Sequence, residues 1–114
     1  MTSLLPLLQS ATVGSRELDD AVLRVAGWEF EPGTDGYLGV WIVPNGKRHV
    51  FTPQPTRSLD AIVALIEARG WAWDVESASD EFGALAHVSG HIWGRAVTPP
   101  LALCIAFVRA VEAQ

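Results

Sequence analysis

From Thr98 to Val108 the sequence TPPLALCIAFV runs without a charged side chain. A helix at the surface needs a polar outer face, so a stretch of this kind folds only where other elements cover it. Thr98 with Pro99 and Pro100 marks the helix start, because a threonine hydroxyl can cap the first turn and proline is tolerated there. On a helical wheel of ~100° per residue, Leu101, Leu103, Cys104, Ile105, Phe107, Val108 and Val111 cover an arc of roughly 200°, wider than a surface stripe. Ala102, Ala106, Ala110 and Ala113 lie opposite, with Arg109. The pattern predicts the central piece of a core. Its small side is expected to approach a second alanine stripe, Ala61, Ala64 and Ala68, while its large side presses on Trp and Val side chains of a sheet.

The remaining elements follow from caps, periodicity and turns. Ser3 is expected to cap a short helix to about residue 11, and Ser15 a second one that Gly27 ends. In that second helix Leu18, Ala21, Val22 and Val25 have the spacing of one buried face, which leaves Arg16, Glu17, Asp19, Asp20 and Arg24 to solvent. WEFEP and YLGVWIVP read as strands, and PNG at residues 44–46 is a hairpin signal leading to RHVFTP. VWIV lacks alternation and is expected to be a central strand covered on both sides. Ser58 caps a helix with Leu59, Ile62, Val63 and Ile66 as its core stripe, and Gly70 stops it. Trp71, Trp73 and Val75 alternate with Ala72, Asp74 and Glu76 as a half-buried strand. Two further strands, near 82–88 and 92–97, are joined by SGH. A helix interrupting a set of hairpins predicts an α+β fold, a mostly antiparallel sheet with helices packed on it.

A chain of 114 residues is the length of one domain. Residues 1–114 are accordingly read as a single unit, with a helical segment over 3–26 and the sheet and helices over 28–113. The formal charge of −5 and the lack of any basic run argue against a phosphate-backbone ligand. With Cys104 as the only cysteine, no internal disulfide can form. No basic leader precedes the first apolar residues, and no apolar run reaches the ~18 residues of a membrane span. The expectation is a soluble protein of the host cytosol, with no membrane and no direct nucleic-acid contact.

Three segments, SRELDDAVLRVAGW, TRSLDAIVALIEARGWAWDVES and TPPLALCIAFVRA, resemble the small phage and prophage proteins grouped as the phage ABA sandwich domain family. The shared features are the Arg-Glu-Leu-Asp helix start, the Ser-Leu-Asp-Ala helix followed by Gly-Trp, and the Thr-Pro helix start leading into Ala-Leu-Cys. The resemblance implies a phage origin and helices on both sides of a sheet, a three-layer α/β/α sandwich. It implies no activity and brings no functional residues. Pro55 stands where the family often has an aromatic, so the loop over 53–57 is expected to be particular to this chain.

Chemistry-bearing patterns are sparse. His49, His87, His91 and Cys104 show no metal-ligand spacing, and no phosphate loop or nucleophile elbow is present. Cys104, mid-helix on an apolar arc, reads as a buried small hydrophobe. Asp19 with Asp20, and Asp74 with Glu76, read as solvated carboxylates rather than an acid–base pair. No catalytic, cofactor-binding or metal-binding residue is assigned, no cofactor is implied, and the chain is not expected to be an enzyme.

Partner binding has more support. Trp71 and Trp73 read as core, but Trp93 shares a strand face with His91 and Arg95, the composition of an interface anchor unless a second helical layer covers it. His87 falls on the matching face of the neighbouring strand. Asp74, Glu76, Asp80 and Glu81 form the densest charge in the chain, either a solvated strand edge and loop or an acidic patch for a basic partner. The expected function is that of a small non-enzymatic phage-type protein that binds a host macromolecule, an inhibitor of host defence such as an anti-CRISPR protein. The competing expectation is a phage structural or assembly accessory acting through homo-oligomerisation, with a homodimer as the simplest form. Candidate partner-binding residues are Trp93, Arg95, His87, Asp74, Glu76, Asp80 and Glu81.

Overall fold

A computed structural model describes residues 4–33, 39–77, 83–90 and 92–114. In chain order the elements are helices α1 (Leu5–Ser10) and α2 (Arg16–Val25), strands β1 (Glu29–Pro32), β2 (Gly39–Ile42) and β3 (Arg48–His49), helix α3 (Leu59–Ala68), strands β4 (Trp73–Ser77), β5 (Ala84–Val88) and β6 (Ile92–Ala96), and helix α4 (Pro99–Glu112). The fold is α+β with antiparallel strands. They form two three-stranded sheets, β1-β2-β3 and β4-β5-β6, rather than one. Each sheet is a meander of neighbours in sequence, and α3 separates the two in the chain.

The helix starts follow the capping chemistry. The Ser15 hydroxyl accepts from the Leu18 amide, Ser58 from Ala61 and Thr98 from Leu101, so each cap satisfies one amide that its helix leaves without a partner. At the other ends Gly27 (φ +93°) and Gly70 (φ +74°) take the left-handed backbone that stops α2 and α3. The first helix has Leu4 at its N-cap, without a side-chain bond, and Ser3 lies outside the described residues.

Helix α4 occupies the centre. Every residue from Leu101 to Val108, and Ala110, is buried, so the helix is covered all round and offers no free seam to a second copy. Its small side meets β6 at Ala102 and Ala106. A Cβ built on Gly94 would sit 2.4 Å from the Ala102 carbonyl oxygen and 2.6 Å from the Ala106 nitrogen, so the α4 backbone rests directly on β6. The missing side chain at Gly94 and the alanine methyls together permit this approach. On α3 the buried residues are Ile62, Leu65 and Ile66, whereas Ala64 and Ala68 are exposed and Leu59 is only partly covered. The expected seat on the α3 alanines is therefore not formed by Ala64 and Ala68, and the glycine in β6 seats α4 instead.

Sheet β1-β2-β3 hangs on one tryptophan. Trp41 in the central strand β2 is 2% exposed, with the Phe30 ring edge-on at 5.2 Å and the Arg24 guanidinium 5.5 Å from its centroid. Its indole N–H donates to Thr52 Oγ1 at 3.2 Å. Val40 and Ile42, pointing the other way, are only half-buried, so β2 is central in its sheet but fully covered on one side alone. Within β1, Phe30 is half-buried between exposed Glu29 and Glu31, as the alternation predicts. Among the described residues no helix is long and apolar enough to cross a membrane.

Candidate functional site

Strand pairing decides which side chains share a face of sheet β4-β5-β6. Val75, Ala86 and Gly94 form one inward row, and Trp73, Val88 and Ile92 another, both turned toward α4. Ala84, Ala86, Val88 and Gly94 are fully buried there. The alternate rows point outward. Asp74 pairs with His87 and His87 with Trp93, while Glu76 pairs with Leu85 and Leu85 with Arg95. Strand period alone therefore brings five of the seven partner-binding candidates onto a single face.

That face is open. Trp93 is 50% exposed, Asp74, Glu76 and Arg95 are exposed, and His87 and Leu85 are half-buried. Among the described residues no second helical layer covers these positions, and the third layer implied by the family resemblance is not built over them. The charges are sorted by strand: carboxylates on β4, a histidine and a leucine on β5, a tryptophan and an arginine on β6. His87 Nδ1 lies 3.1 Å from Asp74 Oδ1, a cross-strand contact that fixes the imidazole beside the acidic column.

Trp93 is held from the far layer. Arg109, near the end of α4, reaches round the β6 edge to place its guanidinium 4.8 Å from the Trp93 ring centroid, and its Nη1 donates to the Trp93 carbonyl at 2.8 Å. A stacked cation and an anchored backbone restrict a large exposed ring, which reduces the entropy lost when a partner covers it. The same bond occupies a carbonyl on an edge strand that would otherwise invite pairing. Asp80, Glu81 and His91 lie outside the described residues.

A second polar constellation has no counterpart in the sequence reading. Asp19, expected in solvent, is 0% exposed. Its Oδ1 accepts from the Thr56 amide at 2.8 Å and from the Thr56 hydroxyl, and its Oδ2 takes Arg57 Nε at 3.0 Å and Nη2 at 2.6 Å. The Ser15 amide donates to Thr56 Oγ1 at 3.2 Å, and Gly14 lies so close that a Cβ there would fall 2.3 Å from the Thr56 carbonyl. Cys104 of α4 completes the junction with its Sγ 3.2 Å from the Pro55 carbonyl oxygen. The correction to Asp19 is one of register: Asp19, Val22, Leu23 and Ala26 are the buried face of α2, one residue out of step with Leu18, Ala21, Val22 and Val25, which, Val22 apart, are half-buried. The signal was present, since Asp19 stands at i−3, i−4 and i−7 from those apolar residues.

Both Asp19 oxygens are engaged, and the Cys104 thiol is pushed well above its usual range, chiefly by burial and then by the Asp19 charge, so it stays a neutral thiol. Among the described residues no group of three or more His, Cys, Asp or Glu side chains is placed to hold a metal ion. The segments around Asp19, Thr56 with Arg57, and Cys104 meet here in one packing joint.

No family model, curated protein or solved structure matches this chain.

Proposed function

We propose that this chain is a non-enzymatic binding protein whose open β4-β5-β6 face, centred on Trp93, docks a protein partner. The observation that carries the reading is the convergence of Trp93, Arg95, His87, Asp74 and Glu76 on one uncovered sheet face. Tryptophan and arginine are the side chains that most often dominate interface energy, and flanking charges select the partner and its orientation. A fitting partner offers a cleft for the indole, a basic group opposite Asp74 and Glu76, and an acidic one opposite Arg95. With the segment resemblance to phage proteins and the net charge of −5, the partner class we favour is a host protein, and the role that of an inhibitor of host defence such as an anti-CRISPR protein.

A second reading, a phage assembly accessory acting as a homo-oligomer, is favoured by the charge sorting of the same face. A two-fold axis along the strands would lay β4 of one copy over β6 of the next, acid on base in both directions. Light scattering at high protein concentration separates the two, a stable dimer supporting the second reading and a monomer removing it.

The test of the first reading is capture from bacterial host lysate by the wild type and by a Trp93→Ala, Asp74→Ala double variant whose melting is unchanged. A protein held by the wild type and lost by the variant supports the open face as the docking surface. Equal retention by both contradicts it.

A further inference from the structure

We propose that the hollow between α3 and the β2–β3 hairpin is a binding site for a small aromatic carboxylic acid, separate from the open sheet face. The hollow encloses about 320 Å³, the lower end of the range of small-molecule pockets. Its existence follows from side-chain size. Ala64 and Ala68 of α3 and Ala26 at the end of α2 line it with methyl groups, where larger residues would fill the space. Trp28 and Pro44 add broad apolar surfaces, so a flat ring is the shape that the walls accept.

Among the described residues that line the cavity, Arg69 is the charged one. Arg69 donates from Nη1 to Gln114 Oε1 at 3.1 Å and from Nη2 to the Ala26 carbonyl at 3.5 Å, and its guanidinium lies 5.3 Å from the Trp71 ring and 5.7 Å from Phe107. These contacts hold the cation in place: the Gln114 side-chain amide and the Ala26 carbonyl that accept from it are neutral, and among the described residues Arg69 forms no ion pair. A guanidinium carries five N–H donors, so donors remain for a carboxylate. Asn45 at the rim spends its Oδ1 on the Lys47 amide at 2.9 Å, which turns its side-chain amide into a further donor for an anion. An apolar slot ending in a fixed cation selects an aromatic body with an acid head.

Indole-3-acetate and neutral indole are the probes, titrated into the full chain and followed by NMR at the Trp28 indole N–H and the Ala64 and Ala68 methyls. The expected result is saturable shifts at these groups with indole-3-acetate, and binding about tenfold weaker for indole, which lacks the charged hydrogen bonds. Ala64→Leu, at an exposed helical site where leucine is a good helix former, keeps the fold and abolishes the shifts. Arg69→Gln brings the acid down to the affinity of indole. Absence of saturable binding by indole-3-acetate, equal affinity for the two probes, or unchanged binding in Ala64→Leu overturns the proposal.

Discussion

Arg57 clamps Asp19 across 38 positions of sequence, its Nη2 2.6 Å from an Oδ2 that has no access to water. The two ends of the pair differ: the Arg57 side chain is 41% exposed and the Asp19 side chain 0%. Removing the arginine leaves a carboxylate that still accepts two bonds from Thr56, whereas removing the carboxylate strands the Thr56 amide inside the protein and leaves its hydroxyl only the Ser15 carbonyl at 3.2 Å. Asp19→Ala is expected to cost about 2 to 4 kcal/mol and Arg57→Ala about 1 to 2 kcal/mol. Urea unfolding of both variants checks the order, and the reverse order would mean that the exposed partner carries the joint.

Cys104 gives the stability a pH dependence. Its pKa is raised in the fold, by burial first and by the Asp19 charge second, so the folded protein keeps a proton that the unfolded chain releases above the ordinary thiol value of ~8.5. The stabilisation is fully present below that value and is lost as pH rises toward the folded pKa. Unfolding curves at neutral and alkaline pH should show a decline that is smaller in Cys104→Ala, and thiol labelling of the wild type should proceed only as fast as the protein opens. Rapid labelling of the native state would contradict the burial.

Neighbours Trp93 and Gly94 face opposite ways on β6 and should differ in how much their substitution costs. Gly94→Ala forces a methyl into the α4 backbone and is expected to cost about 1 to 3 kcal/mol or more, because neither strand nor helix has room to give. Trp93→Ala removes a ring that is 50% exposed and should cost less than about 1 kcal/mol, mostly the contact with Arg109. Thermal melts of the two variants decide the matter.

Phe107→Ala is expected to cost about 3 to 5 kcal/mol. Its ring is 0% exposed, lies 6.1 Å from that of Trp71 and has Arg69 over it, so a cavity there cannot be filled by solvent. A loss below about 1 kcal/mol in denaturant unfolding would mean that α4 is not the centre of the core.

What could be read in advance depended on whether the cause was local. Caps at Ser15, Ser58 and Thr98 and the stop at Gly70 are chemistry within one turn, and they formed as the residue types require. The outward positions of Asp74, His87, Trp93 and Arg95 follow from strand period, and their meeting on one face follows from hairpin register. Whether Trp93 would be covered depended on where the helices pack, which no local pattern states. Asp19 was misplaced because a carboxylate was assigned to solvent on its charge, and the compensating groups at Thr56 and Arg57 are remote in sequence. Gly94 is the seat of α4 because Ala102 and Ala106 lie against it, a contact between remote segments that no pattern within β6 states.

The docking surface is tested most directly by hydroxyl-radical footprinting of a captured complex. Occupation of the open sheet face predicts strong protection of Trp93, with Leu85 and His87 protected beside it, while Phe51, 83% exposed in the segment that follows β3, keeps its reactivity. Protection of Phe51 with Trp93 as reactive as in the free protein would place the partner elsewhere and contradict the account.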